Sequence, residues 1–133
     1  MIIRSIALLA MLAATGAATA GDYMTADEAK SLFTNKTFDG VYLPKDKSFS
    51  VYEAEDGTHH VLRPSGKRDK GRTWFINEEG KHCTTHPKWT KKGKWVNGRC
   101  SFVKNAGDGE YHKISDDGDH THTLTNFREG DQL

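Results

Sequence analysis

A chain of 133 residues, 28% of them charged and with a formal net charge of +1, is long enough for one modest core and too short for two. A charge that close to zero excludes a general nucleic-acid binder, which carries a clear basic excess. What charge there is lies unevenly: Lys81 to Lys104 holds Lys and Arg without one Asp or Glu, whereas Asn105 to Leu133 is mainly acidic.

In chain order, Met1 to Ala20 has one cation at Arg4, an apolar run from Ile6 to about Ala14, and a small-x-small end at Ala18-Thr19-Ala20. That pattern predicts a signal peptide over 1–20, removed on export, and a single mature domain over 21–133. The apolar run is shorter than the roughly 20 residues that span a bilayer, so no membrane anchor is expected and the protein is placed in the periplasm or outside the cell. Thr25-Ala-Asp-Glu28 has the form of a capping box and predicts a short helix to about Phe33. About two turns of helix do not stand alone in water, so this one must dock.

From Thr37 onward, short runs of aromatic and β-branched residues alternate with turn signals. Strands are predicted at Thr37 to Leu43, Ser48 to Ala54, Thr58 to Arg63, Thr73 to Asn77, Lys81 to Thr85, Arg99 to Lys104, Glu110 to Ser115 and His120 to Phe127. Their connections include Asp56-Gly57, Pro64 to Gly71, Glu79-Gly80 and Asp116-Asp-Gly-Asp119, with Gly where tight hairpins require positive φ. The fold class is therefore mostly β: a small antiparallel barrel of about eight strands with a short N-terminal helix, preferred over an open β sandwich because closure hides the strand edges. Period two places Trp74 and Ile76 on the core face, with Thr73 and Phe75 on the other.

The turn and strand residues Asn35-Lys-Thr-Phe-Asp-Gly40, Tyr52-Glu-Ala-Glu-Asp-Gly-Thr58, Thr73-Trp74, Gly80, Cys83 and Cys100-Ser-Phe102 resemble domain-of-unknown-function family 995, small exported bacterial proteins. The resemblance implies a compact β fold and an export route, and no reaction or ligand. The chain departs from that pattern at Arg72, between Gly71 and Thr73, and at Gly130-Asp131.

Two cysteines in an exported domain point to a structural disulfide, Cys83 to Cys100, closing a loop of 17 residues (100 minus 83) worth roughly 3 kcal/mol in the chain-entropy model. A metal reading, Cys83-Thr-Thr-His86 with Cys100 and His112, loses its thiolates in an oxidising compartment. His120 and His122, two apart on a strand, form a second, weak metal candidate expected on one face. With Asp117-Gly118 closing the turn, Ser115 faces His120, Lys113 faces His122, and His112 lies on the other side. Of the adjacent His59 and His60, at most one can join. Asp116-Asp-Gly-Asp119 lacks the twelfth-position Glu of a calcium loop, since Phe127 stands there. No nucleophile elbow, zinc-protease histidine pair or phosphate-binding glycine loop is present, and Glu53, Glu55 and Asp56 read as exposed turn carboxylates with ordinary acidity.

The remaining signal is Pro87 to Trp95, where Lys88, Lys91, Lys92 and Lys94 alternate with Trp89 and Trp95. Aromatic faces beside ammonium groups suit an anionic or glycan-like ligand, or an acidic protein surface. One of these two tryptophans is expected to be open, and Trp74 is the better core residue. The sequence thus predicts an exported, monomeric, noncatalytic binding module without cofactor, meeting an anionic small molecule, glycan or acidic partner through its disulfide-tied basic loop. A small inhibitor of a secreted hydrolase and a histidine-based metal-binding periplasmic protein are the alternatives.

Overall fold

The computed structural model describes residues 22–85 and 99–133. The leader and the basic segment, with Lys88, Trp89, Lys91, Lys92, Lys94 and Trp95, lie outside the described residues. Eight antiparallel strands, β1 (Lys36–Tyr42), β2 (Lys47–Glu53), β3 (Thr58–Leu62), β4 (Arg68–Ile76), β5 (His82–Thr85), β6 (Arg99–Gly107), β7 (Glu110–Ile114) and β8 (His120–Glu129), follow one another around a closed barrel. β1 pairs with β8, so the expected barrel is found and no strand edge is left open among the described residues.

Strand positions agree with the sequence pattern, with corrections of extent: β6 runs on to Gly107, β8 to Glu129, and the largest change is in β4. β4 begins at Arg68, so the connection expected over Pro64 to Gly71 is a short turn, closed by Arg63 N–H donating to Lys67 O at 3.0 Å and Gly66 N–H to Arg63 O at 2.8 Å. Alternation holds inside β4: Trp74 is buried, Ile76 packs against the core, and Phe75 is exposed. Trp74 Nε1 donates to Ala54 O at 2.8 Å, satisfying the one polar atom that its burial would otherwise strand.

Helix α1 (Ala26–Phe33) forms at the predicted capping box, Glu28 N–H donating to Thr25 Oγ1 at 3.2 Å and Thr25 N–H to Glu28 Oε1 at 2.9 Å. Its apolar face docks as expected, burying Ala29 and Phe33. The Phe33 ring meets Phe38 and Phe127 edge-on, at centroid distances of 5.5 and 5.8 Å, so the helix plugs one end of the barrel. Gly80 lets the β4–β5 turn press on that helix: it has φ +85°, and a Cβ there would stand 2.3 Å from Met24 O.

Cys83 and Cys100 face each other directly across β5 and β6, bonded, with Cα atoms 4.0 Å apart. The predicted pairing is therefore present at the two strand ends that bracket the undescribed basic segment. Near the chain end, Thr37 Oγ1 donates to Gly130 O at 2.6 Å and accepts from Gln132 N at 2.9 Å, which ties the C-terminal residues to β1. Among the described residues no helix is long and apolar enough to cross a membrane.

Candidate functional site

With α1 filling one end, the other end of the barrel holds a cavity of about 1230 Å³. Its walls include Phe38, Phe49, Val51, Val61 and Leu124, inward positions that alternate with outward ones along their strands. The rim comes from the β1–β2, β3–β4 and β7–β8 turns, through Asp46, Ser65 and Asp116, and from Thr84 and Arg99 at the ends of β5 and β6. Gly40 gives Phe49 its place in the wall, because a Cβ at that position would stand 2.6 Å from the ring.

The floor of the cavity is polar. Glu53, fully buried at the end of β2, accepts from His59 Nδ1 of β3 through one oxygen and from His82 Nε2 of β5 through the other, both at 2.5 Å. His82 Nδ1 accepts in turn from Lys113 Nζ of β7 at 3.0 Å. An ammonium, a neutral imidazole and a carboxylate thus form one chain across the barrel, with the Phe33 ring stacked on His82 at 4.2 Å from below. Every member of the chain has a partner, which is the condition under which such buried polar groups are tolerated.

The electrostatics follow from that geometry. Burial acts to raise the Glu53 pKa, but His59 and His82 outweigh it through charge and hydrogen bonds and bring it down to about 2. Burial, joined by the charge of Lys113, pushes His82 down to about 4 against the pull of Glu53, so its ring is neutral near pH 7. Lys113 is lowered to about 8, first by burial and then by Arg99, with Glu53 opposing. Of the side chains lining the cavity, Lys47, Arg63, Arg72, Arg99 and Lys113 are cationic and only Asp46 and Asp116 are acidic, among the described residues. Asp69 reaches Arg63 at 3.8 Å and Arg72 at 3.2 Å, so these two cations are offset by a carboxylate, whereas Lys113 meets no carboxylate directly among the described residues.

His122 stands beside Lys113, its register partner, in the cavity wall. Burial first, then the charges of Lys113, His82, Arg99 and His120, push it down to about 3, so it too is neutral. Thr121 Oγ1 donates to the Lys113 carbonyl at 3.3 Å and therefore accepts from His122 Nδ1 at 2.8 Å. That assignment leaves His122 Nε2 as a lone-pair acceptor without a protein partner among the described residues.

Two sequence expectations are overturned here. Glu53 is not an exposed turn carboxylate: it is the last inward position of β2, two residues after Val51, and its acidity is far from ordinary. His120 and His122 do not share a face either. A bulge between Lys113 and Ile114 pairs His120 with Ile114 instead of Ser115, and the His120 ring stacks on His112 at 3.7 Å on the outside while His122 faces the cavity. Lys113 opposite His122 is as expected, as is the division of the adjacent histidines: His59 points in, and His60 points out to Arg68 Nη2 at 3.1 Å. Among the described residues there is no cluster of three His, Cys, Asp or Glu side chains fit to hold a metal.

His82 and Lys113 carried no motif. One cue was available for most of the site: Glu53, His59, Lys113 and His122 each sit two positions from an apolar inward neighbour, namely Val51, Val61, Tyr111 and Leu124. Comparisons with protein-family models, with curated proteins and with solved structures found no match to this chain.

Proposed function

We propose that this is an exported, noncatalytic binding barrel that encloses an amphipathic small molecule, apolar chain against the wall and anionic head on Lys113. The observation that carries the reading is the placement of Lys113. A buried ammonium at a cavity wall, whose only hydrogen-bond partner among the described residues is a neutral imidazole, has two N–H donors left for a ligand. Its carboxylate counter-charge is reached only through His82, so an incoming anion meets a cation that is not directly neutralised. Arg99 adds to the same potential, and His122 Nε2 offers an acceptor to a ligand hydroxyl. Export is supported by the disulfide together with the leader-like residues 1–20.

Displacement of the fluorescent anion 1-anilinonaphthalene-8-sulfonate tests the reading, with dodecanoate and dodecanol as competitors. Dodecanoate should compete the better of the two, by roughly tenfold or more, the scale of a charge-assisted hydrogen bond of about 1.5–3 kcal/mol. Lys113→Met should erase the difference. Equal competition by acid and alcohol in the parent protein would refute the proposal.

A further inference from the structure

The same amine has a second chemistry open to it. We infer that Lys113 is a carbonyl-trapping nucleophile, forming an imine with an aldehyde whose apolar chain lies in the cavity. The inference rests on the reading of the cavity as a small-molecule site and adds a covalent ligand class to it.

The argument begins with what surrounds Nζ. Lysine becomes a nucleophile when its surroundings disfavour the ammonium, through desolvation or a neighbouring cation. Both conditions hold here. Lys113 is buried at the cavity wall, and Arg99 of β6 bears on it as a second cation. On the remaining sides stand His82 of β5 and His122 of β8, both neutral, while Glu53 of β2 holds its two oxygens on His59 and His82. No carboxylate touches Nζ among the described residues, so no ion pair clamps it in the charged form. With its pKa lowered to about 8, a fraction on the order of one tenth is neutral amine at pH 7, far more than for an exposed lysine. The hydrogen bond to His82 Nδ1 fixes the direction of the amine, and the apolar wall provides the lodging for the aldehyde chain.

The chemistry is self-contained. The Nζ lone pair attacks the carbonyl carbon, a C–N bond forms, and the C=O π pair moves to oxygen. A proton passes from nitrogen to that oxygen to give the carbinolamine. Protonation of the hydroxyl and loss of water then leave the C=N bond, and hydrolysis reverses every step, so no oxidant or reductant takes part. The protonated imine keeps the positive charge that Glu53 balances through His82.

The test is incubation of the folded protein with dodecanal at pH 7 and cyanoborohydride, followed by intact mass and peptide mapping. The expected result is a single dodecyl adduct on Lys113, labelled at least tenfold faster than any other lysine, faster as the pH rises toward 8, and blocked by dodecanol. Lys113→Arg should lose the adduct while keeping a cation in place. Label spread over exposed lysines with Lys113 unmodified would overturn the inference, and mapping in the parent protein decides this even if the Arg variant fails to fold. If dodecanal displaces 1-anilinonaphthalene-8-sulfonate yet forms no adduct, the imine is refuted and the binding reading stands. If it neither displaces nor labels, the imine is refuted, and the binding reading is decided separately by the competition of dodecanoate against dodecanol.

Discussion

The two ends of the barrel use inward-facing positions for opposite purposes. At the plugged end, α1 drives Phe33 against Phe38 and Phe127, and every inward side chain meets another. At the other end, the same alternation leaves a cavity of about 1230 Å³ among the described residues, with His59, His82 and Lys113 in its lining and Glu53 buried behind them. A domain of this size stabilises itself by filling its core, so a large void beside a buried cluster of four ionisable side chains costs stability, a cost that the proposed binding role accounts for. The contrast extends to the histidines. His59, His82 and His122 face the interior with hydrogen-bonded rings, whereas His112 and His120 stack on the outside with Glu110 2.6 Å from His112 Nε2.

The contrast is broken most severely at Glu53. Glu53→Ala leaves a buried ammonium without its counter-charge and two imidazoles without their acceptor, and should cost about 3–5 kcal/mol in urea unfolding. Acid should attack the same place. Between pH 6.5 and about 4, His82 binds a proton more readily in the unfolded chain than in the fold, and His122 does so down to about 3. Glu53 does so between 4.5 and about 2. In each window the unfolded state holds more protons, so stability rises with pH and is lost as pH falls. Urea midpoints should therefore decline steadily below pH 6.5, and Glu53→Gln should flatten the part of the curve below pH 4.5.

Lys113→Met should separate binding from folding. It leaves the buried Glu53 carboxylate without its counter-charge but with both imidazole donors, so the melting temperature should fall by less than in Glu53→Ala, while preference for anionic ligands should fall by roughly tenfold or more. A melting temperature that collapses together with binding would make the polar floor a structural element only. The smallest effects are expected at His112 and His120, on the outside, and in the basic segment that the sequence predicts to be solvated. Replacing His112 and His120 with Gln, or Lys91, Lys92 and Lys94 with Gln, should shift stability by less than about 1 kcal/mol in thermal melts. Any loss of dodecanoate affinity in the lysine triple variant should vanish at high salt, the mark of long-range steering.

What could be read in the sequence was whatever local chemistry determines. Thr25 and Glu28 announce a helix start because both halves of the capping box lie within one turn, and Trp74 and Ile76 declare a core face because period two is a property of any strand. The cysteine pair was legible because its partners are the only two in the chain. The polar floor was not, since Glu53, His82 and Lys113 are 29 and 31 positions apart and meet only when the barrel closes. Glu53 was misread for a further reason: Glu55, Asp56 and Gly57 follow it, and a strand end looks like the turn it enters. The His120 and His122 pair was misread because a bulge changes the face of a side chain and leaves no trace in the spacing.

The most direct test is calorimetric titration of dodecanoate into the parent protein and the Lys113→Met variant across pH 6 to 10. If the ammonium of Lys113 holds the anionic head, affinity should be level up to about pH 8 and then fall by up to roughly tenfold per pH unit as that group loses its proton, while the variant binds weakly at every pH. An affinity that is the same in both proteins, or that stays level through pH 10 in the parent, would contradict the account.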